Sequence, residues 1–196
     1  EELKVQLAAI KVLGELRNPK ATKPLIKILG NKDPKVRAAA AIALGQINDK
    51  NALIPLIDCL SDKEVSVKQN AILALGQIGD ERAVDPIIAT LKDPEIQSVG
   101  VLTLGKFKDS RILPPLTQLL SSINPRVRQA AVVSLSALKN PATIEPILKM
   151  LGDEDVYVKR AAAQALSEIK DSTTVDHFIT SLSDPNAEMR IMAVRS

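Results

Sequence analysis

Apolar and polar residues alternate along this chain in the pattern of paired amphipathic helices. Within residues 50–78, apolar side chains follow helical spacing from Leu53 to Leu60 and again from Val67 to Ile78, with a polar stretch between the two runs. Apolar positions at i, i+3, i+4 and i+7 form one stripe on an α-helix. This stretch therefore predicts two helices joined by a turn.

The helix pair repeats along the whole chain. Its step is 31 residues, except for one step of 29 residues between Val67 and Ile96. A proline marks the first helix in five of the pairs, at positions 24, 55, 86, 115 and 146. Self-similarity at a period of about 20–50 residues is typical of solenoids, in which each repeat buries its apolar face against its neighbours. We therefore expect one all-α repeat domain over residues 1–196, with about six helical hairpins and thirteen helices.

The turns between the helices carry signals of their own. An Asp or Asn directly before a proline can cap a helix that begins at that proline. The turn between Leu91 and Ile96 is two residues shorter than its equivalents, and we expect a local change in superhelical twist there. The array begins and ends on a helix of the second type without a polar cap, which predicts a piece of a longer array. The pairs that predict starts of second helices are Asp33-Pro34, Asp93-Pro94 and Asn124-Pro125.

Composition narrows the function classes. Apolar residues make up 45% of the chain and aromatic residues only 2%, so aliphatic side chains build the core. The net charge of +3 comes from 26 basic and 23 acidic residues that are mixed along the chain, which is typical of a solvated surface and not of a polyanion-binding protein. There is no run of 18 apolar residues, so we expect no membrane span, no membrane partner and a cytoplasmic location.

The frames DPKVRAAAAIALGQI (residues 33–47) and DERAVDPIIATL (residues 80–91) resemble HEAT repeats, of the short kind named after phycobilisome lyases. The resemblance extends over essentially the whole chain and implies a right-handed α–α superhelix. It places the proline helix on the convex side and the second helix on the concave side. It also implies a ladder of Asp–Arg pairs along the array, and we expect interruptions at Gln6 and Gln97, which replace the basic residue.

If the second helix of each pair faces a concave groove, one position on this helix is a candidate for partner binding. Four consecutive repeats carry an aliphatic residue there, and the flanking repeats carry a polar one. Two alternatives stay open: these side chains line a groove for a partner, or they pack sideways against the next helix. The predicted partner-binding residues on this face are Ile42, Leu73, Leu102, Val133, Gln46, Asn70, Gln77, Lys106, Gln129 and Gln164.

Residues that suggest catalysis have simpler interpretations. His177 is the only histidine, so a histidine metal site is not expected, and no candidate base accompanies Cys59. Asp153 and Asp155 lie in a helix-start turn, where carboxylates cap backbone N–H groups. Tyr157 is predicted to be exposed. The glycines at positions 14, 45, 76 and 105 recur inside helices, where they allow close packing, and form no phosphate loop.

The expected function is a non-enzymatic protein-interaction scaffold that binds a helical or extended segment on its concave face, without cofactor or metal. The inner positions combine basic Lys11 and Arg160 with acidic Glu15 and Glu168 and hold no aromatic residue for base stacking, so no nucleic-acid partner is expected. The alternative is implied by the resemblance alone: a phycobilin lyase-like or chromophore-handling protein. No residue of the sequence identifies a catalytic group for that alternative.

Overall fold

The computed structural model describes residues 1–169 together with Ile179, Ser183 and Arg190. All regular secondary structure in this part of the chain is helical, with eleven α-helices and seven short 3₁₀ helices. The predicted all-α class is confirmed. Thirteen helices were predicted, so the count differs: the last two fall within residues 170–196, of which only those three positions are described. Nor is any helix in the described part long and apolar enough to cross a membrane.

The chain divides into two compact units, Glu1–Phe107 and Lys108–Ser196. We call the proline-containing helices A helices and the helices that follow them B helices. In unit 1 the A helices are α2 (Thr22–Ile28), α4 (Leu53–Asp58) and α6 (Val84–Thr90). The B helices of unit 1 are α1 (Glu2–Glu15), α3 (Pro34–Ile47), α5 (Val65–Ile78) and α7 (Gln97–Leu104). In unit 2 the A helices are α8 (Leu113–Leu119) and α10 (Ile144–Lys149), and the B helices are α9 (Pro125–Ala137) and α11 (Val156–Ile169).

Helices pack in the same order in each unit. In unit 1, α1 packs on α3, α3 on α5 and α5 on α7, while each A helix packs on the B helix that follows it. In unit 2, α9 packs on α11, and α8 and α10 pack on α9 and α11 respectively. Leu44, Leu75 and Leu135 are fully buried at the same position of three B helices. Each such leucine stabilises the fold by about 1.5–3 kcal/mol through removal of apolar surface from water.

Each A helix begins with a 3₁₀ turn that the sequence did not reveal. In the turn before α4, the carboxylate of Asp49 accepts a hydrogen bond from the backbone N–H of Asn51, and the α-helix then begins at Leu53. Pro55 is the third residue of this helix, where its missing N–H costs no intrahelical bond. The other four A helices repeat this arrangement, with an Asp or Asn cap and proline as the third residue.

The short turn before α7 corrects one prediction. Asp33 and Asn124 cap helices that begin at the following proline, as predicted, but α7 begins only at Gln97, so Asp93-Pro94 is not a helix start. Asp93 accepts hydrogen bonds from Lys68 Nζ at 2.5 Å and from the backbone N–H of Glu95 at 3.0 Å. The two missing residues leave one aspartate where other repeats have separate pairing and capping residues, and α7 loses its first turn.

Candidate functional site

An aliphatic column lies exposed on the B helices of unit 1. Ile42, Leu73 and Leu102 occupy the same position on α3, α5 and α7, and their exposed fractions are 44%, 42% and 49%. Since these helices pack side by side and neighbouring helices lie about 8–10 Å apart, the column is about 20 Å long. In unit 2, Val133 occupies this position on α9 and is 46% exposed. None of the four side chains is buried between helices, which favours the groove interpretation over sideways packing.

The predicted polar residues of unit 1 surround this column. Gln77 and Lys106 are exposed, while Gln46 and Asn70 are half-buried. The carboxamide of Asn70 donates to the backbone carbonyl of Ser66 at 2.8 Å, so its orientation is fixed within α5. The face therefore combines an apolar stripe with amide groups that can pair with a polypeptide backbone.

Glycines bring the B helices of unit 1 close together. A Cβ placed on Gly14 would lie 2.9 Å from Ala43 Cα, and one placed on Gly45 would lie 2.8 Å from Ala74 Cα. The side chain of Gln46 lies over Gly14, in the space that such a Cβ would occupy. The predicted role of these glycines in close helix packing is confirmed at both positions.

Unit 2 has a cavity on the same side of its B helices. The cavity has a volume of about 240 Å³. Ser136 lines the cavity at the position that glycine holds in α1, α3 and α5, so the B helices of the two units differ chemically at this position. The lining of this cavity includes the predicted residues Gln129, Val133 and Gln164. The remaining lining residues, which the sequence did not single out as one site, are Ser136, Tyr157, Arg160, Ala161, Ala165 and Glu168.

Two of these residues form the rim of the cavity. Tyr157 is 59% exposed, as predicted from the sequence. The guanidinium of Arg160 lies over its ring, 5.8 Å from the ring centroid, which is cation–π geometry. This pair could have been suspected from the i, i+3 spacing at the start of a B helix, but its position beside Val133 depends on how α9 and α11 pack.

Buried ion pairs link consecutive repeats within each unit. In unit 1, Arg37 donates from Nε and Nη2 to the two carboxylate oxygens of Asp62, at 2.7 and 2.8 Å. Its third nitrogen, Nη1, donates to the carbonyl oxygen of Asn31. In unit 2, Arg128 makes the same two-pronged contact with Asp153, at 2.8 Å for both bonds. The ladder implied by the resemblance is therefore present, and Asp153 is chiefly an ion-pair partner rather than a helix cap.

The ladder changes character next to the short turn. Lys68 replaces arginine and forms a single bond to Asp93. At Gln97, as expected, there is no cation. Arg37 and Arg128 each also donate to a backbone carbonyl. The carboxamide of Gln97 makes the equivalent contact, donating to the backbone oxygen of Leu91 at 2.7 Å.

The pairing sets the charge state of the ladder carboxylates. The hydrogen bond from Arg37 holds the pKa of Asp62 below the usual aspartate value. Burial by itself raises the pKa of Asp153, but the hydrogen bonds from Arg128 and from the backbone N–H of Asp155 outweigh it, so this pKa is lowered as well. Both carboxylates are therefore ionised at neutral pH.

The remaining chemistry-bearing residues are structural or fall outside the described part. Phe107 is buried at 4% exposure, and Asp155 caps α11 by accepting from the backbone N–H of Tyr157 at 2.8 Å. No group of three or more His, Cys, Asp or Glu residues in the described part could hold a metal ion. His177 lies outside that part.

Cys59 is a packed thiol. It is 8% exposed at the end of α4, and burial raises the pKa of its thiol to about 11. Because the thiolate is the reactive form, we expect the native protein to react with a maleimide at pH 7.5 at least ~100-fold more slowly than the urea-unfolded chain. Mass spectrometry of timed samples measures both rates. Equal rates would show that the thiol is accessible in the fold.

Known proteins resemble this chain along its full length. The family model for HEAT repeats matches residues 1–67, 23–99, 54–136, 86–167 and 144–196. The resemblance seen in the sequence is thereby confirmed. A comparison with curated protein sequences found no match.

Solved structures share the fold at low sequence identity. The complex of CpcE and CpcF of phycocyanin lyase from Nostoc matches at a TM-score of 0.68 and 23% identity, over 88% of this chain and 74% of that chain. YibA of Escherichia coli matches at 0.63 and 22%, over 95% and 72% of the two chains. A designed armadillo repeat protein matches at 0.59 and 19%, over 87% and 96%. These likenesses concern the solenoid fold alone.

Proposed function

This chain belongs to the HEAT-repeat family, and we propose that it serves as a protein-interaction scaffold that binds a helical or extended segment of a partner on the exposed face of its B helices. One observation carries the proposal. The aliphatic column Ile42, Leu73 and Leu102 is more than two-fifths exposed at each position, although the same helices bury aliphatic residues fully elsewhere.

The size of this column suits a reversible interaction. Covering about 300 Å² of apolar surface would contribute roughly 7 kcal/mol before the costs of association are subtracted. Those costs are several kcal/mol, so the column alone leaves a net gain well below the roughly 8 kcal/mol that micromolar binding requires, and a partner must make further contacts beside it. Amide side chains beside the column, such as Gln77, can add hydrogen bonds to a partner's backbone.

One of the fold neighbours supports a polypeptide partner. The Nostoc phycocyanin lyase neighbour is a complex of two proteins, CpcE and CpcF. Chromophore handling remains the alternative that this likeness suggests, and absorbance spectroscopy separates the two functions. A visible absorbance band that stays with the protein after incubation with a bilin and gel filtration would favour chromophore handling over the scaffold.

We expect the double variant Leu73→Asp with Leu102→Asp to lose its partner. Peptides selected on the wild-type protein from a displayed library should bind the variant at least 30-fold more weakly by fluorescence anisotropy, because two carboxylates would have to be desolvated on the apolar column. Circular dichroism checks that the double variant keeps the helicity of the wild-type protein, so that a loss of binding is not a loss of folding.

Ile54 offers a matched control. It is an exposed aliphatic residue of the same unit, at 57% exposure, but it lies on the A helix α4. The variant Ile54→Asp is expected to bind the selected peptides within twofold of wild type. Equal loss of binding in both variants, or in neither, would contradict the proposed face.

A further inference from the structure

The cavity of unit 2 has a charge pattern that the column of unit 1 lacks. Arg160, Gln164 and Glu168 are all exposed and follow one another at four-residue spacing along α11. The cation therefore lies at one end of the cavity and the carboxylate at the other. Between them, Ala161 and Ala165 of α11 and Val133 of α9 provide an apolar lining.

Contacts within the unit orient both charged ends. The guanidinium of Arg160 lies over the ring of Tyr157. The carboxamide of Gln164 donates to Oε1 of Glu168 at 3.2 Å, while the second carboxylate oxygen retains its own acceptor capacity. A bound segment thus meets a positive end, an apolar middle and a negative end in a fixed order along α11.

The distance between the ends selects the shape of the occupant. Eight helical residues separate Arg160 from Glu168, which corresponds to about 12 Å along the helix axis. In an extended chain, residues i and i+4 are about 13 Å apart, and i, i+2 and i+4 point to the same side. An extended segment can therefore place an acidic side chain, an aliphatic one and a basic one over the three parts of the cavity.

A helical occupant requires a different charge spacing. A helix rises about 1.5 Å per residue, so its acidic and basic residues would have to lie seven or eight positions apart to span the same distance of about 12 Å. The cavity of about 240 Å³, lined by residues of α9 and α11, takes one inserted aliphatic side chain.

We propose that the unit 2 cavity binds an extended polypeptide segment with the pattern acidic–x–aliphatic–x–basic. The acidic side chain pairs with Arg160, the aliphatic side chain enters between Val133 and the two alanines, and the basic side chain pairs with Glu168. This inference rests on the proposed scaffold function and specifies the chemistry of one partner segment.

The probe is the fluorescein-labelled peptide Ser-Glu-Ser-Leu-Ser-Lys-Ser, titrated with the full chain at low salt and followed by anisotropy. We expect saturable binding to the wild-type protein. A peptide with the leucine moved one place, Ser-Glu-Leu-Ser-Ser-Lys-Ser, should bind at least tenfold more weakly, because its leucine then points away from the cavity.

Charge reversal tests the assignment of Arg160. The Arg160→Glu variant should bind the probe at least fivefold more weakly than wild type does. The charge-reversed peptide Ser-Lys-Ser-Leu-Ser-Lys-Ser should bind this variant about as well as the probe binds wild type, and should bind wild type weakly. Lys149→Glu is the matched control, since Lys149 is exposed on α10 and outside the cavity. It should leave probe binding within twofold, and thermal unfolding by circular dichroism checks that both variants are folded.

Three results would overturn the inference. They are no saturable binding of the probe, equal binding of the leucine-shifted peptide, or tighter binding of a helical peptide whose acidic and basic residues lie seven positions apart. The proposed function is tested separately through Leu73 and Leu102 in unit 1, so a failure of this inference is distinguishable from a failure of the proposed function.

Discussion

Replacing Arg37 with Met is expected to destabilise unit 1 by about 3 kcal/mol, because the substitution leaves the paired carboxylate without its cation. Arg37 is 6% exposed, and it donates one hydrogen bond to each carboxylate oxygen of Asp62 and, from Nη1, to the carbonyls of Asn31 and Lys32. Removing one partner of a buried ion pair costs about 3–5 kcal/mol. We take the lower end since the side chain of Asp62 keeps 13% exposure.

Urea unfolding followed by circular dichroism measures this change. The control is Lys11→Met, in which the lost lysine is 75% exposed and pairs with Glu15, itself 55% exposed, on the same helix of unit 1. Exposed pairs of this kind contribute little because water and salt screen them, so the control should unfold at the wild-type urea concentration. Equal midpoints for both variants would show that the ladder does not stabilise the repeats.

The effect of Arg37→Met should also depend on pH in a defined direction. The pKa of Asp62 is lowered in the folded protein, first by its hydrogen bond from Arg37. A lowered carboxyl pKa contributes stability that is fully present above the unfolded value of about 3.9 and is lost as pH falls through the folded value. The difference between wild type and variant should therefore be constant from pH 6 to 8 and shrink below about pH 4.

Replacing Gly45 with Val is expected to destabilise unit 1 by about 2–3 kcal/mol through overpacking. A Cβ at this position would lie 2.8 Å from both Cα and Cβ of Ala74 on the next B helix, so backbone would have to move. The intrinsic helix propensity of valine exceeds that of glycine by only about 0.5 kcal/mol, which is too little to compensate.

Gly152→Val is the matched control, because nothing lies within 4 Å of a Cβ built on Gly152. We expect this control to change the urea midpoint little and Gly45→Val to lower it clearly. If Gly45→Val unfolded at the same urea concentration as wild type, the close contact between Gly45 and Ala74 would not limit the size of the side chain at this position.

Repetition made most of the fold predictable. A core position such as Leu44 recurs in almost every repeat, so aligning repeats separates buried from exposed positions without any knowledge of distances. The same alignment identified Leu73 and Leu102 as departures from the core pattern, and both are exposed.

The sequence-based predictions failed or fell short in two situations: where one residue aligns with two roles, and where a site is formed only by the packing of two helices. Asp93 aligns both with the ladder aspartates and with the helix caps, and only the structure shows that the bond from Lys68 defines its role. The unit 2 cavity depends on the way α9 and α11 pack around Val133 and Ser136, and on the ring of Tyr157 beneath Arg160. A single sequence does not encode such distances in a readable form.

Photo-crosslinking from position 73 tests most directly whether a partner lies on the exposed face of the B helices. Benzoylphenylalanine is placed at Leu73 in one protein and at Ile54 in another, since both side chains are exposed but belong to a B helix and an A helix of the same unit. With a peptide selected on the wild-type chain, we expect a crosslinked product from position 73 and none from position 54. A product from position 54 alone would contradict the scaffold surface proposed for this protein.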